Sequence, residues 1–228
     1  MERLAKGIHD LGAMVSPDPI SLLKRMNGGD VGGVLLVACS ELGMYPLSAH
    51  LPFVDALATI QNMGGMLSLE DVAGSDLASI KLLLKGGELT DMVICGHAPC
   101  SALNLLVFPE EWLVGELSSC AYTDAWLRSH REFQKVLQRH YGNAPKGTLM
   151  DVADREFVLH QLEELSLIPE LKALVVRGGL RLHGWSINAS GLHVYSAARQ
   201  EFVQVEGLMA AEHPRLRNRT ARARNARA

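Results

Sequence analysis

Two kinds of hydrophobic pattern alternate along this chain. Short continuous apolar runs bounded by glycine or charge, Gly33-Val-Leu-Leu-Val-Ala-Cys39 and Asp91-Met-Val-Ile-Cys95, have the pattern of strands covered on both faces, typical of a parallel sheet. A further strand is predicted at Asp55–Ile60, ending at Gln61-Asn-Met-Gly-Gly65, whose paired glycines permit a tight backbone approach. The second pattern is helical. Glu70–Lys85 carries Leu77, Ile80, Leu83 and Leu84 at helical spacing and stops at Gly86-Gly87. Strand, helix, strand in that order implies a parallel crossover.

Glu110–Tyr141 reads as helix in two pieces, and Asp151–Leu165 and Pro169–Val176 as two more helices. Gly179–Ile187 alternates as a half-buried strand, and Asn188-Ala-Ser-Gly191 turns the chain into Leu192–Ser196, a terminal hairpin. At the other end, helical Glu2–Leu11, the breaker Ser16-Pro-Asp-Pro19 and helical Ile20–Met26 read as an arm and not as core. The expected class is α/β: a mainly parallel central sheet flanked by helices, with a C-terminal hairpin strand. The expected division is an N-terminal helical arm at 1–30, a main domain at 31–205 and a basic, disordered tail at 206–228.

Composition narrows the function classes. With 48% hydrophobic and 21% charged positions in 228 residues, the chain reads as soluble and globular, which excludes disordered and fibrous classes. Four cysteines (Cys39, Cys95, Cys100, Cys120) are too few for a disulfide scaffold, and no charged-apolar-small signal pattern opens the sequence, so a reducing, cytoplasmic setting is expected. The longest apolar runs, such as Val34–Ala38, are a few residues long where a membrane helix needs about 20, so no membrane association is expected. The net charge of −3 hides an asymmetry: His213–Ala228 carries six arginines and no acid, which leaves 16 basic against 25 acidic residues, −9, on the rest. Such a tail fits an acidic partner, nucleic acid or the body itself, and equally a solvated terminus. It has no interleaved aromatics, which weakens a specific nucleic-acid reading.

The candidate chemistry gathers at two strand ends. Cys39 closes the first central run, and His97 and Cys100 follow the second in Cys95-Gly-His-Ala-Pro-Cys100. Thiolate and imidazole suit zinc, and His97 and Cys100, three positions apart at the start of a helical turn, can face one side. The competing reading is two core thiols and a capped histidine. Cys95, inside a strand, reads as a small buried hydrophobe and Cys120 as packing. His130, His140 and His160 fall on amphipathic helices and read as surface residues, and His50 is a candidate proton shuttle. Trp112, Trp126 and Trp185 read as core or subunit contacts.

Over most of residues 30–200 the sequence resembles the β-class carbonic anhydrases. The matching pieces are Val37-Ala-Cys39-Ser40, Gln61-Asn62-Met-Gly-Gly65 against the family's Arg-Asn-x-Ala-Asn, Val93-Ile-Cys-Gly-His97-Ala-Pro-Cys100, and Leu182-His-Gly-Trp185 through Gly191-Leu-His-Val-Tyr195. The resemblance implies zinc (Zn2+) held by Cys39, His97 and Cys100, hydration of carbon dioxide to bicarbonate, and a homodimer or higher homo-oligomer whose N-terminal arm embraces the partner. It makes 31–205 a carbonic anhydrase-like zinc domain.

The departures are equally specific. The family's Cys-Ser-Asp-Ser-Arg is here Cys39-Ser40-Glu41-Leu42-Gly43, so the acid is one methylene longer and the arginine that holds it off the metal is gone. With Gly43 there, nothing local competes with zinc for Glu41, which is expected to lean in as a fourth ligand or to orient and gate the zinc water. Pro46 falls one place later than the family's proline. The Trp, Arg and Tyr of the family's regulatory bicarbonate pocket appear as Leu36, Gln61 and Ile187, and the glycine after the second zinc cysteine is Ser101. Three functions stay open: a carbonic anhydrase-type zinc lyase with Glu41 in its catalytic apparatus; a non-catalytic relative with a closed Cys2HisGlu site and a protein-interaction role; and a hydrolase of carbonyl sulfide or carbon disulfide.

Overall fold

The computed structural model describes residues 9, 11–28, 30–42, 57–67, 75–112 and 121–205. Strands β1 (Gly33–Cys39), β2 (Leu57–Asn62), β3 (Leu89–His97), β4 (Arg181–Asn188), β5 (Gly191–Ser196) and β6 (Glu201–Gln204) form one sheet in the order β2-β1-β3-β4-β5-β6. The first four are mutually parallel, and β5 and β6 are antiparallel additions. The mainly parallel α/β class with a C-terminal hairpin is therefore observed.

Successive strand residues point to opposite faces, so a strand buried on both sides must be apolar throughout. β1 shows this, with six of its seven residues buried. On one face Leu35, Val37, Met92, Ile94 and Leu182 join the core formed with helices α6 (Arg131–Tyr141) and α7 (Lys146–Leu167). On the other, Leu36, Val93, Cys95 and Trp185 pack with Leu22, Leu23 and Met26 of α1 (Ser21–Gly28). This corrects the reading of residues 20–26 as arm without core: those three side chains are at most 4% exposed. The proposed helix at Glu2–Leu11 falls largely outside the described residues.

The remaining helices are α2 (Ser75–Lys85), α3 (Ser101–Val107), α4 (Pro109–Trp112), α5 (Ala121–Ser129) and α8 (Pro169–Val176). β2 runs two residues past the predicted end at Ile60, because Gln61 and Asn62 continue the ladder beside Ala38 and Cys39, while Asp55 and Ala56 lie outside the described residues. α7 is longer than the predicted Asp151–Leu165 and buries Asp154, Arg155, Glu156 and Gln161 besides its apolar residues. β6 has no counterpart in the sequence pattern. Among the described residues no helix is long and apolar enough to cross a membrane.

Two ionic networks hold the periphery. At the N-terminal end of β3, buried Asp91 accepts paired hydrogen bonds from Arg25 of α1 and Arg181 of β4, with further bonds from His183 and Thr90. Burial works against its charge, yet His183 and the two guanidiniums hold Asp91 well below the ordinary carboxylate range. On α7, His9 bridges Glu163 at 2.8 Å and Glu156 at 3.0 Å, and the Tyr141 hydroxyl donates to Glu156. Burial alone would lower His9, but the carboxylates outweigh it and its pKa is raised.

Candidate metal centre

The site lies at the C-terminal ends of β1 and β3, which are paired neighbours, so the parallel register itself brings Cys39 close to His97. The loops leaving both strands are tied down by backbone bonds, Ser40 N–H to Asn62 O at 2.9 Å and Ala98 N–H to Ile187 O at 2.9 Å. Gly65 explains the paired glycines. Its φ is +69°, and a Cβ there would meet the Ala38 carbonyl carbon and the Cys39 nitrogen at 2.8 Å, so only glycine lets this segment support the Cys39 strand end.

Cys39, Glu41, His97 and Cys100 each offer a donor atom within 4.8 Å of the other three. The two sulfurs are 3.9 Å apart. A tetrahedron with Zn–S bonds of about 2.3 Å separates two sulfurs by about 3.8 Å. His97 ends β3 and Cys100 is the residue before α3, so the two flank a short bend and do not share a helical turn as predicted. His97 Nε2 is buried with no hydrogen-bond partner among the described residues. A buried nitrogen without a partner is costly in an apoprotein and is accounted for by a metal ligand. Geometry, burial and donor softness all suit zinc.

The thiols are electrostatically distinct. The Cys100 S–H aimed at it, aided by His97 and by the Glu41 N–H at 3.4 Å, outweighs burial and brings the Cys39 thiol down to about 4. Cys100, which holds the shared proton, is pushed up by that bond and by burial. A thiolate is the ligand form of cysteine, and one of the two is already favoured without metal. Cys95 is fully buried and raised by burial, consistent with the packing role read from sequence.

Glu41 is held at the cluster. Its Oε2 accepts a 2.8 Å hydrogen bond from the Ser101 backbone N–H, at the first residue of α3, and lies 4.0 Å from His97 Nε2. The expectation that nothing local competes for Glu41 overlooked this donor, because a backbone amide leaves no trace in side-chain identity. Gly43, Pro46, His50 and Cys120 lie outside the described residues, as does the tail at 206–228.

Beside the cluster is a cavity of about 450 Å³ whose wall includes His97, Cys100, Asp154, Arg155, Asn188 and Ser190. Asp154 accepts a short hydrogen bond from the Ser186 hydroxyl, and burial raises its carboxyl above the ordinary range. Apart from His97 and Cys100, none of these cavity residues was singled out for function from sequence. Two of the histidine readings need correction: His130 is buried in the turn before α6, against Trp126, and burial lowers it to about 4, and His160 is half-buried and stacked on Phe133 with ring centroids 5.2 Å apart. Of the tryptophans, Trp185 is core, Trp126 is half-buried and Trp112 is 40% exposed.

The family model for carbonic anhydrase matches residues 53–192, which include His97 and Cys100. A carbonic anhydrase from Synechocystis is 24% identical over 217 residues, spanning 94% of this chain and 78% of that protein. Among solved structures, the β-carbonic anhydrase CcaA superposes with a TM-score of 0.66 at 23% identity, covering 81% of this chain and 89% of the other. The chain belongs to the β-carbonic anhydrase family. One of two tetrameric β-carbonic anhydrases from Sordaria macrospora gives a TM-score of 0.56 at 17% identity, covering 75% of this chain and 82% of its own. Within this family the present chain is divergent, at identities near one in four.

Proposed function

We propose that this β-carbonic anhydrase relative holds one zinc ion on Cys39, His97 and Cys100 and catalyses the reversible hydration of carbon dioxide to bicarbonate. The observation that carries this reading is the pair of sulfurs 3.9 Å apart beside a buried, unpartnered His97 Nε2. When bound, zinc supplies the Lewis acidity that makes water nucleophilic near neutral pH. The chain's own residues supply position and protection. Cys39 enters as the readier thiolate, and the backbone N–H of Glu41 steadies its sulfur. The Glu41 carboxylate, pinned by Ser101 N–H, accepts a hydrogen bond from water in the cleft and orients it. Leu103 and Met150 give the cavity an apolar side that suits carbon dioxide. We further assign the chain to the cytoplasm and to a homo-oligomer, the second of which is supported by the tetrameric Sordaria relatives.

A second reading is favoured by one observation: the Glu41 oxygen belongs to the same four-donor group. As a fourth ligand it would close the site to Cys2HisGlu, the structural type, and leave a non-catalytic relative. Zinc content and stopped-flow carbon dioxide hydration of wild type, Cys100→Ala and Glu41→Ala separate the two. The lyase reading expects about one zinc per chain, a rate above buffer, and loss of both in Cys100→Ala. Zinc without turnover, with a rate gained in Glu41→Ala, would establish the closed site. A folded wild type that takes up no zinc overturns both.

A further inference from the structure

We propose that Arg155 makes the cavity beside the metal cluster a binding site for a small planar oxyanion of the bicarbonate class. The inference deepens the carbonic anhydrase reading and rests on it for the identity of the anion.

Arg155 lies on α7 and is only 6% exposed. Its Nε is buried with no hydrogen-bond partner, and among the described residues no carboxylate stands within ion-pair distance of its guanidinium. Among the described residues the other buried or half-buried guanidiniums are paired: Arg25 and Arg181 both clasp Asp91. A buried guanidinium without a counter-ion is costly, and a bound anion offsets that cost. The Phe202 ring, 5.9 Å from the guanidinium carbon, covers one face. The in-plane N–H fork is what matches two oxygens of a planar anion.

The surroundings fit an anion of that size. At about 450 Å³ the cavity has room for a small ion and several waters, a water occupying about 30 Å³. The Asn188 amide oxygen accepts from Ser190 N–H at 2.8 Å and Ser190 O–H at 2.7 Å, which leaves its NH2 as the donor end. Neither acid in the wall forms a direct ion pair with the arginine: Asp154 is engaged by the Ser186 hydroxyl and feels the Arg155 charge only through space, and Asp151 is exposed at the rim. The same cavity touches His97 and Cys100, so an anion on Arg155 would share the space into which product is released. None of Leu36, Gln61 and Ile187 is among its lining residues.

Calorimetric titration of the purified, zinc-assayed protein with sodium bicarbonate, and with sodium nitrate as a planar anion that is not a substrate, tests the site against sodium chloride as control. Wild type is expected to bind both saturably. Arg155→Met should weaken both by about tenfold or more, as for loss of a charge-assisted bond, and Arg155→Lys, which lacks the fork, by less. In the dehydration direction Arg155→Met should raise KM for bicarbonate more than it lowers kcat. Nitrate affinity equal in wild type and folded Arg155→Met overturns the proposal; should that variant not fold, affinity in Arg155→Lys equal to wild type overturns it. Hydration by a protein whose nitrate affinity ignores position 155 removes the anion site alone. Arg155-dependent nitrate binding by a zinc-loaded protein that does not hydrate carbon dioxide keeps the site and removes the catalytic reading.

Discussion

The two ends of β3 carry opposite kinds of polar cluster. Asp91 and His97 lie on the same strand, and both are buried. At the N-terminal end every donor around Asp91 meets an acceptor: two guanidiniums, an imidazole and a hydroxyl converge on one carboxylate, and three elements are tied together. At the C-terminal end the convergence is incomplete, although Cys100 S–H meets Cys39 Sγ and the Ser186 hydroxyl meets Asp154. His97 Nε2 and, across the adjoining cavity, Arg155 Nε have no partner. Polar groups that close on themselves hold a fold, whereas buried polar groups that converge and stay unsatisfied mark a place for something else. The other two unpartnered buried atoms among the described residues, Asn62 Oδ1 and Trp185 Nε1, are uncharged.

The contrast can be broken by exchanging consequences between the two ends. Asp91→Ala leaves Arg25 and His183 uncompensated and should destabilise by about 3 kcal/mol, the low end for a broken buried pair because Arg181 is partly exposed and its share is screened. Cys100→Ala at the other end should change the stability of metal-free protein by only about 1 kcal/mol while abolishing zinc uptake. Urea unfolding of both variants measures the difference, and equal losses would contradict a division into structural and binding ends.

Gly65→Ala sharpens the same contrast, because it forces a Cβ into the backbone of Ala38 and Cys39 at a positive φ. A loss of about 1–3 kcal/mol is expected, together with weaker zinc affinity by competition with a chromogenic chelator. Unchanged affinity would mean that the Cys39 strand end does not depend on this support.

The smallest effect is expected at the His9 bridge, a third and self-satisfied cluster. His9 has a raised folded pKa, so its contribution is fully present below the ordinary 6.5 and is lost as pH rises through the folded value. The Tm difference between wild type and His9→Gln should therefore shrink from about pH 6 to about pH 9. A difference that grows over that range would reverse the assigned charge.

Much of the sheet was legible in sequence because burial on both faces writes a continuous apolar run, and β1 is read without error at Gly33–Cys39. Cys39, His97 and Cys100 stood out because soft donors at strand ends are rare in such runs. Other features had no such signature. Leu22, Leu23 and Met26 read as an ordinary short helix, since periodicity does not say which sheet face needs covering. β6 is four residues long with one buried side chain, Phe202. Arg155 hides on a helix, where charge ordinarily means solvent; only the three-dimensional packing of α7 against the sheet reveals that it is buried. The hold of Ser101 on Glu41 uses a backbone amide common to every residue but proline.

X-ray absorption at the zinc edge of the purified, metal-loaded protein tests the central claim most directly. Two sulfurs at about 2.3 Å with nitrogen or oxygen donors at about 2.0–2.1 Å are the expected shell. A shell without sulfur, in a folded protein containing zinc, would contradict the convergence of Cys39, Cys100 and His97 on one metal ion.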